Sequence, residues 1–197
     1  MAQAKVPEVK ALHKEISQCG LYNLVADLLR NYTSAAGQSM ETDAINTSSK
    51  KLFSKTAVSN LLLILQRPCI YSVEIAAQLI ELGLFETLCP LLPAQENEEF
   101  DQSILQDTLA LQQELIGSAT ISKGKEFIEC ADQKQAFIRS SSLIEHISQL
   151  TVPRLFVAYN LLPQNEHKER VLQLLCVLLQ DVDAGKFTKF CYKVLKS

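Results

Sequence analysis

Three histidines, His13, His146 and His167, and six cysteines, Cys19, Cys69, Cys89, Cys130, Cys176 and Cys191, are the side chains best suited to acid–base, nucleophilic or metal chemistry. The cysteines are separated by 50, 20, 41, 46 and 15 residues, with no CxxC pair. Zinc sites are built from close ligand pairs, because two ligands from one turn share one ion. Most of the thiols fall within apolar helical runs, where a reduced cysteine behaves as a small hydrophobe. The histidines are far apart and belong to no HExxH, and there is no Gly-rich phosphate loop and no GxSxG elbow. Cys130 and His146 could act as nucleophile and base if the fold brought them together. A buried thiol and a surface imidazole account for the same two residues without chemistry. Glu96, Glu98, Glu99 and Asp101 form a charge run, not a convergent pair, and fit a solvated loop. The expectation is a chain with no catalytic residue, no metal and no cofactor.

The composition is that of a globular protein, 47% hydrophobic and 21% charged, with a formal net charge of −3 over 197 residues. That mild acidity offers no global attraction for nucleic acid or anionic lipid. The N-terminal stretch "MAQAKVPEVKALHKEISQ" lacks an uninterrupted apolar core, and "NLLLILQ" is far too short to span a bilayer. An intracellular location, cytoplasmic or nuclear, is expected, with no membrane and no nucleic acid as partner.

Leu, Ile and Val recur at spacings of three and four, and no segment alternates as a half-buried strand does. The fold class expected is therefore all-α, with residues 1–197 forming one domain. Residues 31–50, "NYTSAAGQSMETDAINTSSK", hold few large apolar groups to offset their ordering entropy and are expected to be a mobile insertion. Residues 93–103, "PAQENEEFDQS", are expected to be an acidic connector.

A repeat underlies the helices. "GLYNLVADLL" begins at Gly20, "GLFETLCPLL" at Gly83, "SLIEHISQLT" at Ser142 and "GKFTKFCYKV" at Gly185. Counting the first residue as zero, positions two, five and nine read Tyr22, Val25, Leu29; Phe85, Leu88, Leu92; Ile144, Ile147, Thr151; and Phe187, Phe190, Val194. Such spacing puts three side chains on one helix face, the one expected to be buried. Position six is small throughout: Ala26, Cys89, Ser148 and Cys191. The leading glycine follows a short helix and suits a left-handed exit into the next. The copies are 63, 59 and 43 residues apart, the longer gaps containing 31–50, the acidic connector and an extension around "GSATISKGKE".

Two or three helices per copy, the last starting at the glycine, resemble the armadillo/HEAT type of α-helical repeat, whose period is about 40 to 47 residues. The resemblance implies an armadillo-like right-handed α-solenoid of about four repeats, the first partial. It also implies a non-catalytic scaffold or adaptor that binds a peptide or protein surface in a groove lined by the last helix of each repeat. The importin-like branch of that family uses a ladder of Trp and Asn; this chain has no Trp, which puts that mode of recognition in doubt.

Positions three and seven point away from the buried face and carry Asn23, Asp27, Glu86, Pro90, Glu145 and Gln149 in the first three copies. Of these, Asn23, Asp27, Glu86, Glu145 and Gln149 are the candidate partner-binding residues, and their acidity favours a segment containing Lys or Arg. Simple solvated positions would read the same way. In the last copy Lys186, Lys189, Lys193 and Lys196 form a basic stripe, which suits a polar cap on a terminal repeat or, alternatively, a basic patch. A second functional class is a regulatory or oligomerisation domain, the N-terminal part of a larger protein, that forms a homo-oligomer through its terminal repeat.

Overall fold

The computed structural model describes residues 6–37, 54–117, 125–140, 143–163 and 165–180. These form an all-α fold; among the described residues there are no strands. The helices are α1 (Val6–Gln18), α2 (Leu21–Gly37), α3 (Lys55–Tyr71), α4 (Val73–Glu81), α5 (Leu84–Leu88), α6 (Gln102–Ile116), α7 (Lys125–Ser140), α8 (Leu143–Leu161) and α9 (Asn165–Leu179), with a 3-10 turn at Cys89–Leu91 after α5.

Local chemistry sets several of these boundaries. Ser72 serves two helices at once: its N–H donates to the Pro68 carbonyl at the end of α3, and its hydroxyl accepts from Ile75 N at the start of α4. Asp101 caps α6 by accepting from Ser103 N and Ile104 N, at 3.0 and 3.2 Å. Gly20 and Gly83 both have left-handed backbones, φ +73° and +77°, and each glycine carbonyl accepts the first hydrogen bond of the helix that follows. A β-carbon would disfavour that turn, so the paired glycines of the repeat have a backbone reason. Helix α5 is short because Pro90 has no N–H to donate to Glu86, and the chain tightens into the 3-10 turn instead.

The packing has a period of three helices. Helix α2 lies on α5 and α5 on α8; α3 lies on α6 and α6 on α9; α4 lies on α7. A bond from Ser17 Oγ to Gln78 Oε1, 3.2 Å, joins α1 to α4 in the same sense. The α3–α6 contact is the heart of the core, with Leu62, Leu65, Leu105, Leu109 and Leu115 fully buried. The expected buried face is buried in all three described copies: Tyr22, Val25, Leu29, Phe85, Leu88, Leu92, Ile147 and Thr151, with Ile144 half-buried. The small residues Ala26, Cys89 and Ser148 are buried too. Cys89 Sγ donates to the Leu150 carbonyl (3.3 Å) and Ser148 Oγ to that of Leu178 (2.9 Å), so position six joins one helix to the backbone of a neighbour.

Two expectations meet a more specific outcome. Residues 31–37 are the last two turns of α2, because Thr33 is buried, its hydroxyl donates to the Arg30 carbonyl, and Tyr32 packs against the core. Residues 38–50 lie outside the described residues. The acidic run is a loop between the 3-10 turn and α6, but three of its four carboxylates are engaged. Glu98 Oε2 accepts from Ala94 N (2.6 Å), Glu96 Oε1 from Asn160 Nδ2 (2.8 Å), and Asp101 pairs with Lys55 (2.9 Å). The fourth copy, with Lys186, Lys189, Lys193 and Lys196, lies outside the described residues, as does most of the extension after Gly117.

Candidate functional site: the groove beside α2 and α5

The end of α2 and the glycine turn into α5 leave a cavity of about 590 Å³ between them, lined by Arg30, Thr33, Glu81, Leu82, Glu86 and Pro90 among others. Its geometry follows from the Gly83 turn. The chain leaves α4 through a left-handed glycine, and the carbonyl of Leu82, the residue before it, accepts from Arg30 of α2 at 2.6 Å. A guanidinium there also sits at the negative end of the α4 dipole. The other side of the same guanidinium is bound to Asp27, again at 2.6 Å. The positive charge of Arg30 is thus engaged twice within the protein.

On the far side, Glu86 Oε1 meets His146 Nε2 of α8 at 2.9 Å, while its Oε2 lies over the Gly83 turn. Further along the same seam Arg154 Nη1 donates to the Leu92 carbonyl, 2.6 Å. Carboxylates of Glu81 and Glu86 therefore line the cavity, and the cation beside them is already held. The arrangement can bind a cationic or hydrogen-bonding segment; it assembles no nucleophile and base.

The five candidate positions separate. Glu86 lines the cavity. Asp27 is exposed on α2 and holds Arg30. Asn23 is half-buried and its Oδ1 accepts from Gln78 Nε2 of α4 at 3.0 Å, so it joins helices and does not face the groove. Glu145 and Gln149 are exposed on α8. The equivalence of position three across copies fails at Asn23 because its amide meets Gln78 of α4, whereas Glu86 at the same position meets His146 of α8. Sequence reasoning missed Arg30, Glu81 and Leu82; the signal for the last two was their place immediately before the repeated glycine.

The other reactive groups resolve individually. His146 is the partner of Glu86, whereas Cys130 is buried and lines a second cavity, of about 700 Å³, beside Lys10, Lys14 and Glu74. Glu74 is held below its ordinary carboxylate range, first by the Ser72 hydroxyl and then by its backbone bond. His13 Nδ1 lies 2.6 Å from the Tyr22 hydroxyl, and its ring stacks on Tyr71. Burial, then Arg67, lowers its pKa. All five described cysteines are free; Cys69, Cys89 and Cys130 are buried, Cys19 and Cys176 exposed. No group of metal-ligating side chains occurs among the described residues, and no described helix is long and apolar enough to cross a membrane. No family model, curated protein or solved structure matches the chain.

Proposed function

We propose that the chain is a non-catalytic adaptor, an armadillo-like right-handed α-solenoid of about four copies that holds a segment of another protein containing Lys or Arg. The solenoid reading is supported by the three-helix packing period and by three copies that bury the same register positions. In such an array each copy touches only its neighbours and leaves a continuous face for a ligand. The observation that carries the choice of partner is the groove beside α2 and α5, where Glu81 and Glu86 face the cavity and Arg30 is spent on Asp27 and Leu82. Free thiols suit a reducing, intracellular setting for this role.

The test is selection from a displayed random peptide library against the full chain, then titration of enriched peptides. Enriched sequences should carry Lys or Arg and should lose binding to a Glu81→Lys, Glu86→Lys variant. Enrichment of sequences without cations, or binding indifferent to the double reversal, overturns the reading.

A further inference from the structure

Among the described side chains of α1 none is buried, whereas α2, α3 and α4 each bury several. Ile16 packs against the core only in part. The polar anchors of the helix are Ser17, bound to Gln78 of α4, and His13. The Nδ1 of His13 lies 2.6 Å from the Tyr22 hydroxyl of α2, and its ring stacks on Tyr71 of α3. The joint between α1 and α2 is Gly20, left-handed at φ +73°, where an added β-carbon would meet no atom within 4 Å, so no neighbour braces it. A helix with so little apolar burial and an open glycine joint belongs among the elements that open locally at low free energy.

We propose that α1 is a pH-released helix, docked on α2 and α3 while His13 is neutral and swinging out about Gly20 when His13 takes up a proton. In the neutral ring Nδ1 can accept from the Tyr22 hydroxyl; a protonated ring has no acceptor nitrogen, so that bond must reverse. The groups that face the ring give the added charge no partner. Tyr22, from α2, stays a neutral phenol, since burial and then Cys69 hold its ionisation above the ordinary 10.0. From α3, the exposed Arg67 brings a like charge. Tyr71, 6.1 Å away between ring centroids, is just beyond the ~6 Å at which an aromatic face attracts a cation. On α4, Glu74 accepts from the Ser72 hydroxyl at 2.7 Å and, held below its ordinary range, stays ionised while His13 titrates. Its attraction to Lys10 and Lys14 of α1 is therefore constant across that window. Burial, then Arg67, lowers the pKa of His13 from 6.5. Docking is thus complete above 6.5 and weakens as pH falls through the docked value. Release removes the α1 wall of the cavity of about 700 Å³ that Cys130 also lines. Neither His13 nor Arg67 lines the groove beside α2 and α5, so release is separable from partner binding there.

Hydrogen exchange of the full chain, read by mass spectrometry at about pH 7.5 and about pH 5, either side of the histidine range, tests it. With the intrinsic exchange rates divided out, protection across α1 should fall by about threefold or more at the lower pH, while that of α6 in the core is unchanged. His13→Gln, which takes up no proton, should lose this pH dependence. Arg67→Gln, at an exposed position, should reduce it, because the like charge that opposes protonation of the docked ring is gone. If His13→Gln leaves α1 unprotected at both pH values, Arg67→Gln decides. Protection of α1 that is equal at both pH values, a fall shared equally by α6, a fall retained in His13→Gln, or one undiminished in Arg67→Gln overturns the proposal.

Discussion

Glu86 Oε1 of α5 and His146 Nε2 of α8 meet at 2.9 Å across 60 residues of sequence. Both side chains are about half exposed, so water competes with the bond and its contribution to folding is small, about 0.2 to 1 kcal/mol by analogy with other surface pairs. Its effect on the groove is larger in kind, because His146 occupies an oxygen that a cationic ligand would use. His146→Ala should strengthen binding of a groove-selected basic peptide about two- to fivefold, while Glu86→Gln weakens it. Titration calorimetry with both variants checks the signs, and a double-mutant cycle gives the pair's coupling.

Lys134 of α7 is 3% exposed. Its ammonium group donates to the Cys69 carbonyl near the end of α3 and, at 2.8 Å, to the Glu114 carbonyl near the end of α6. One cation thus serves the negative ends of two helices that form the heart of the core. Lys134→Met keeps the apolar stem and leaves both carbonyls without that donor, so urea unfolding should show a loss of about 2 to 4 kcal/mol. A variant as stable as the parent would mean that other donors reach these carbonyls.

Gln112 lies in α6 with no exposed surface, and neither of its amide atoms has a hydrogen-bond partner. A buried amide without partners costs free energy that an apolar group of the same shape does not. Gln112→Met, nearly isosteric, should raise stability by about 1 to 2 kcal/mol, seen as a higher urea midpoint at unchanged slope. Gln112→Ala should not, because it leaves a cavity.

Stability should fall on both sides of neutral pH, for different residues. Burial pushes the Cys69 thiol up to about 12 from an ordinary 9.0, with Lys134 opposing. A folded value above the unfolded one means the contribution is complete below 9 and is lost as pH rises through 9 toward 12. Three units correspond to roughly 4 kcal/mol at most. Urea midpoints measured from neutral to alkaline pH should therefore decline, and decline less in Cys69→Ala. On the acid side His13 is held below its ordinary value of 6.5 by burial. Its contribution is present above 6.5 and lost as pH falls through the folded value. Asp101, lowered first by Lys55 and then by its Ile104 N–H bond, adds to the loss at lower pH. His13→Gln should flatten the first acid decline and leave the second.

Much of the fold is legible in the chain because helix burial is a matter of period. Tyr22, Val25 and Leu29 share a face by spacing alone, as do Phe85 and Leu88, and all are buried. The left-handed turns at Gly20 and Gly83 are legible for a related reason, since glycine meets that conformation without a steric cost. The tail of α2 was less legible: residues 31–37 look polar, and what holds them helical is the burial of Thr33 and the packing of Tyr32, which are long-range facts.

The candidate site divides along the same line. Periodicity within one helix decides inside from outside, and it placed Glu86 and Asp27 on the exposed side. It carries no information on which neighbour a side chain meets. Only the tertiary arrangement decided that Asn23 turns to Gln78, that Arg30 spans Asp27 and Leu82, and that Glu86 finds His146. The same holds for Lys134, whose charge reads as solvated in sequence and is buried because two helix ends converge on it. Backbone conformation and apolar period are properties of a few adjacent residues, whereas each of these polar contacts joins residues brought together by the packing of whole helices.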